Sequence, residues 1–198
     1  MATDTKDRFI DVSADLLRRQ GYASTGVQQI VHAAKAPLGS LYHHFPGGKE
    51  ELGAAAIRRS GALYELLIPE IFDPAPDLVS AVRLFFEGAA AHLEESEYQD
   101  ACPIATVALE VSSTSDTMRE ACADVFNSWI AAGLPRFTAE GLDEATSREL
   151  VIGMIAALEG AFVLARATQT TEALHVAGEL CAQATERALD ARSAPAGG

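Results

Sequence analysis

Residues 38–45 read Leu-Gly-Ser-Leu-Tyr-His-His-Phe, and the chain continues Pro46-Gly47-Gly48-Lys49-Glu50-Glu51-Leu52. As a helix, this run sets Leu41 and Phe45 on one face, four residues apart, and turns Gly39, Ser40, Tyr42 and His43 elsewhere. Three uses compete for it: a metal site, a strip of core, or a surface that meets another molecule. Neighbouring helical residues point about 100° apart, so His43 and His44 make a poor chelating pair. No acid or thiol stands at a matching spacing, and no metal is expected. Leu41 and Phe45 already supply an inward face. The small Gly39 and Ser40 then permit close approach, and Tyr42 and His43 can donate to phosphate oxygens.

Upstream, Phe9, Val12 and Leu16 share a helical face, and Arg18 and Arg19 suit the end of a helix over residues 4–20. Gly21 is expected to end it in left-handed geometry, with Tyr22 folding back on Leu17 as in a Schellman cap. Thr25-Gly26-Val27-Gln28 has the form of a capping box, opening a short helix with Val27, Ile30 and Val31 as its apolar side. That helix ends near Lys35. Pro37 suits the first position of a third helix, residues 37–44, because its missing N–H needs no partner there. Two short helices joined by a tight turn, braced by a longer one, make a helix-turn-helix, whose second helix enters the major groove of DNA.

Residues 6–52 resemble the DNA-binding domain of the TetR family of bacterial regulators, through the run from Phe9 to Gly21-Tyr22, Thr25, Ile30 and above all GSLYHHFPGGKEEL. PGGKEEL, together with CPIATVALE over residues 102–110, is similar to the narrower LmrA/YxaF-like group. The resemblance implies a homodimer, a double-stranded DNA operator, a small-molecule effector bound in the larger C-terminal part, and repression that the effector relieves. Carried over by position, Thr25 contacts phosphate, Ser40, Tyr42 and His43 supply recognition-helix contacts, and Lys49 pairs with phosphate. Gln28, Lys35, Leu38 and Gly39 complete the DNA-binding candidates. Two positions depart from the pattern: Lys35 stands where the turn usually has Gly, and Leu38 where the group often has Arg or Lys.

Composition agrees with an all-α chain. Alanine, leucine, glutamate and arginine abound, and runs of alternating β-branched residues are few. The formal charge of −13 is uneven. Residues 1–60 hold eight Lys/Arg and six Asp/Glu, net +2, whereas residues 61–198 hold seven and 22, net −15. A basic end can meet a polyanion while an acidic body repels it. Cys102, Cys122 and Cys181 lack CxxC spacing and read as reduced thiols. With a polar, charged N-terminus rather than a secretory leader, they point to the cytoplasm. Leu150–Ala165 is apolar apart from Glu159 and Arg-free until position 166, but it is shorter than the roughly 20 residues a membrane span needs. No membrane association is expected.

The first 47 residues are thus read as the DNA-binding domain. Residues 48–198 are read as a ligand-binding and dimerisation domain of six further helices, for about nine in all. These run over 48–70, 77–96, about 103–112, a long stretch through Trp129 with Pro135 near its end, then from Asp143 and from Thr171. Ser193 to Gly198 is expected to be a disordered tail. Gly153, Ala156, Ala157, Gly160 and Ala161, with Leu174, Ala177, Leu180, Cys181 and Ala184, suit either intrachain packing or a two-fold four-helix interface. Phe86, Cys102, Leu109, Met118, Cys122, Phe126, Trp129, Met154, Leu158 and Phe162, with His92, Glu110 and Glu159 as polar members, form a candidate effector wall. No cofactor is expected. Two rival readings remain. One is a helical small-molecule-binding dimer without specific DNA binding. The other is an enzyme using Cys102 or Cys122 with His92, although no nucleotide loop, HExxH or nucleophile elbow accompanies them.

Overall fold

Pro69 decides how the first half of the body is laid out. A proline inside a helix lacks the N–H that would bond four residues back, and its ring clashes with that carbonyl. The helix that starts at Gly48 therefore stops at Glu65, and a new one opens at Leu67, with Pro69 in its first turn, where no N–H is required. The single helix expected over 48–70 is two.

The computed structural model describes residues 4–100 and 102–193. Among them are α1 (Thr5–Gln20), α2 (Val27–Ala33), α3 (Leu38–His44), α4 (Gly48–Glu65), α5 (Leu67–Phe72), α6 (Leu78–Glu95), α7 (Pro103–Val111), α8 (Asp116–Ala139), α9 (Glu144–Thr168) and α10 (Glu172–Ser193). The fold is all-α, as expected, with no strand among the described residues. The tail expected to be disordered lies outside them from position 194 onward. α8 continues through Pro135 to Ala139, and Arg136 Nη1 donates to the Ala132 carbonyl one turn back, 3.0 Å away.

Contacts divide the chain into two compact units. The first joins the described residues up to Tyr64 with Cys102–Asn127. The boundary expected at residue 47 is not where contacts thin out, because α4 is packed too closely to its neighbours. A Cβ at Gly53 would stand 3.0 Å from the Met118 sulfur and 3.1 Å from the Tyr22 ring, and one at Gly61 would overlap Val125. Arg58 Nη2 adds an ion pair to Asp124 at 2.7 Å, and the Ser115 hydroxyl, which also caps Met118 N–H, donates to Glu50.

The second unit holds residues from Glu65 to position 100 and from Ser128 onward. Its core gathers Leu78, Val82, Phe86 and Leu93 of α6, Phe137, Met154, Ala161 and Ala165, and Leu174 and Ala182 of α10. Gly178 lets α10 approach α6, since a Cβ there would lie 2.7 Å from Phe86 Cβ. Asp77 and Asp143 cap α6 and α9, accepting from Ser80 N–H at 2.7 Å and Thr146 N–H at 2.9 Å. Those hydrogen bonds hold both carboxyls below their usual pKa. Leu174, read in sequence as a possible interface residue, is buried in this core.

Candidate nucleic-acid interface

The helix-turn-helix is built on a small core: Phe9 and Ile10 of α1, Ile30 of α2, Ala34 and Ala36 of the turn, Leu41 and Phe45 around α3, and Leu52 of α4. The turn itself is a Schellman motif. Ala36 N–H donates to the Val31 carbonyl at 3.3 Å and Lys35 N–H to the His32 carbonyl at 3.2 Å. The residue between must be left-handed, and Lys35 has φ +49°. This is why glycine suits the position. With that turn closed, Leu41 is 0% and Phe45 2% exposed, while Tyr42 is 49% and Leu38 38% exposed. Gly39 and His43 are also exposed, and Ser40 is half-buried. Pro37 is the N-cap of α3 rather than its first helical residue, which shifts the helix by one position.

The corner between α1 and α2 departs from the sequence reading. Gly21 has the expected positive φ, +76°, but its ψ of 179° directs the chain outward instead of into a Schellman cap. The Tyr22 ring lies against the Gly53 face and the Lys49 ammonium. Thr25 is no capping-box residue. Gly26 is the N-cap of α2, and the Thr25 hydroxyl, buried, donates 2.7 Å back to the Gly21 carbonyl. That hydroxyl is directed into the chain rather than outward. Gln28, freed of the box, is exposed, and Gln20 Nε2 bridges to Ser24 O and Gln29 Oε1 at 2.9 and 2.8 Å.

Two charged residues close over this corner. Lys49 Nζ donates to the Tyr22 carbonyl at 2.7 Å and sits 4.0 Å over its ring. Burial pushes the Lys49 pKa down, and the Glu110 carboxylate acts the other way. One of the three ammonium donors is therefore occupied, leaving two for a phosphate. Glu110 Oε2 accepts the Ala23 N–H at 2.7 Å, and its other oxygen occupies the space a side chain at Gly21 would need. Sequence reasoning placed Glu110 in an effector wall. It is an exposed residue that fastens α7 to the α1–α2 corner. Lys6, passed over in the sequence, is exposed and stands 5.8 Å from the Phe45 ring at the end of α3. An exposed cation early in the first helix was the available signal.

The effector candidates separate into two groups. Cys102, Leu109, Glu110, Met118, Cys122 and Phe126 belong to the first unit, and Phe86, His92, Trp129, Met154, Leu158, Glu159 and Phe162 to the second. Leu109 is 84% exposed, and His92 is exposed on α6. Phe86, Met118 and Cys122 are core residues. Phe126, Trp129, Leu158, Glu159 and Phe162 are half-buried, and Met154 is buried beside them in sequence. Desolvation raises the Cys122 thiol to about 11 despite the Arg58 charge, the opposite of an activated nucleophile.

Similarity to known proteins covers two stretches of the chain. Residues 9–56 match the N-terminal domain of bacterial regulatory proteins of the TetR family. Residues 79–180 match the C-terminal domain described as transcriptional regulator LmrA/YxaF-like. The HTH-type transcriptional regulator YxaF of Bacillus subtilis is 34% identical over 161 residues, covering 81% of this chain and 84% of that one. The HTH-type transcriptional regulator LmrA of the same organism is 28% identical, over 87% and 93% of the respective chains. A TetR transcriptional regulator from Legionella pneumophila superposes with a TM-score of 0.78 at 23% identity, covering 92% of this chain and 98% of that one. The last comparison speaks to the fold alone.

Proposed function

Since this chain belongs to the TetR family of bacterial transcriptional regulators, with an LmrA/YxaF-like C-terminal domain, we propose that it is a cytoplasmic, ligand-responsive repressor. It binds a pseudo-palindromic operator as a homodimer. The observation that carries the reading is the outward face of α3. Leu38, Gly39, Tyr42 and His43 are exposed above a fully packed Leu41–Phe45 face, which is how a recognition helix must be presented.

The dimer reading draws on α9 and α10. By length and composition α9 could cross a membrane, and only 22% of its apolar window is buried within the chain. Ile152, Val163 and Leu164 of α9 and Val176 and Leu180 of α10 are exposed, and a Cβ at Gly153 or Gly160 would meet nothing within 4 Å. A second copy covers such a surface in a soluble protein. The effector is apolar, aromatic, and uncharged or cationic. Half-buried Trp129 and Phe162, both in the second unit, supply aromatic surface, and the body carries −15. It relieves repression only if it binds the DNA-incompetent arrangement more tightly.

Selection from a random duplex library tests the reading. The expected result is a two-fold-related consensus whose half-sites lie about one helical turn apart, roughly 34–36 Å, with affinity falling as salt rises. Recovery of no consensus would refute it.

A further inference from the structure

We propose that Leu38 reads the 5-methyl group of a thymine in each operator half-site, with Tyr42 extending the same apolar ridge. This rests on the operator-binding reading above and names what that surface reads. Leu38 and Tyr42 lie one helical turn apart on the outer face of α3, 38% and 49% exposed. A leucine side chain has neither donor nor acceptor, so it cannot read the hydrogen-bonding edge of a base. The one apolar group on base edges in the major groove is the thymine methyl. Guanine is read by bidentate Arg or Lys, and adenine by bidentate Asn or Gln. α3 has none of these residues over Leu38–His44.

Two features prepare the ridge for close contact. The Tyr42 ring rests against backbone at Gly48: a Cβ there would lie 3.3 Å from Tyr42 Cε1, and Gly48 has φ +68°. One edge of the ring thus lies near the start of α4 while the rest stays exposed. Gly39, beside Leu38, is exposed, and a Cβ there would meet nothing within 4 Å. Glycine within a helix costs stability relative to alanine, and nothing inside the chain requires it at this position. Its use is to let the backbone next to Leu38 approach the groove.

The test replaces thymine by uracil, one position at a time, in the selected operator. The change removes the methyl and leaves the hydrogen-bonding edge intact. The full-length wild-type dimer is expected to lose about fourfold in affinity at one position per half-site, the equivalent of roughly 0.8 kcal/mol for a buried methyl. Replacing both symmetric positions should cost about 16-fold. Leu38→Ala, an exposed substitution that circular dichroism should show folded, is expected to bind thymine and uracil operators equally. Leu38→Arg should shift the selected base at that position towards guanine. Uracil tolerated everywhere by the wild type, or equal thymine sensitivity in Leu38→Ala, would overturn the assignment while leaving operator binding intact. A chain without sequence-specific binding would overturn the operator reading and this one together.

Discussion

Lys35 offers the clearest separation of conformation from contact. Its φ of +49° lies in the left-handed region, at the position of the α2–α3 Schellman turn that glycine fills without strain. A residue with a Cβ there costs about 1–2 kcal/mol relative to glycine. Glycine in turn loses about 0.5–1 kcal/mol more conformational freedom on folding. Lys35→Gly should therefore stabilise the protein by about 0.5–1 kcal/mol, raising Tm by about 1–4 °C for a chain of this size. Lys35→Ala keeps a Cβ and removes the charge, so its stability should stay within about 0.5 kcal/mol of the wild type. Thermal and urea unfolding followed by circular dichroism distinguish the two. Operator binding should respond differently. If the exposed Lys35 ammonium meets phosphate, both variants lose affinity alike, and each flattens the salt dependence by about one phosphate. A Lys35→Gly protein no more stable than Lys35→Ala would refute the turn geometry and the reason given for its strain.

Three further outcomes follow from other parts of the structure. Glu110→Ala should speed hydrogen exchange at the exposed Ala23 amide at least about tenfold, with Glu110→Gln restoring protection through its remaining acceptor; unchanged exchange would detach α7 from that corner. Cys122 should resist alkylation in the native protein at pH 8. Because its folded pKa, about 11, lies above the ordinary thiol value of 9.0, its contribution to stability is complete below about pH 9 and declines as pH rises towards 11; rapid native labelling would contradict that burial. Gly160→Arg, placed where a side chain meets only open space within its own chain, should yield a folded monomer by sedimentation; an intact dimer would move the interface elsewhere.

Local chemistry made much of the fold readable. The helix starts near residue 77 and at Asp143 and the inward spacing of Leu41 and Phe45 depend on residues within one or two turns of chain, and these recur in the structure. The reading failed where a side chain chose between partners. Thr25 and Gln28 have the spacing of a capping box, but the hydroxyl found the Gly21 carbonyl instead. Glu110 bonds an amide 87 residues away, a pairing no local pattern encodes. Leu109 and His92 sit in apolar stretches, yet helical rotation turns both to the outside. The break at Pro69 was visible as a proline, and its effect was placed one turn too late. A proline disturbs the carbonyl four residues before it, so the helix ended at Glu65.

Native mass spectrometry of the chain with its selected operator addresses the central claim most directly. Two 20.9 kDa chains should sit on each duplex. An apolar aromatic cation that changes Trp129 emission should then return free duplex and free protein dimer. A single chain per duplex, or a complex that persists while such a compound is bound, would contradict the account.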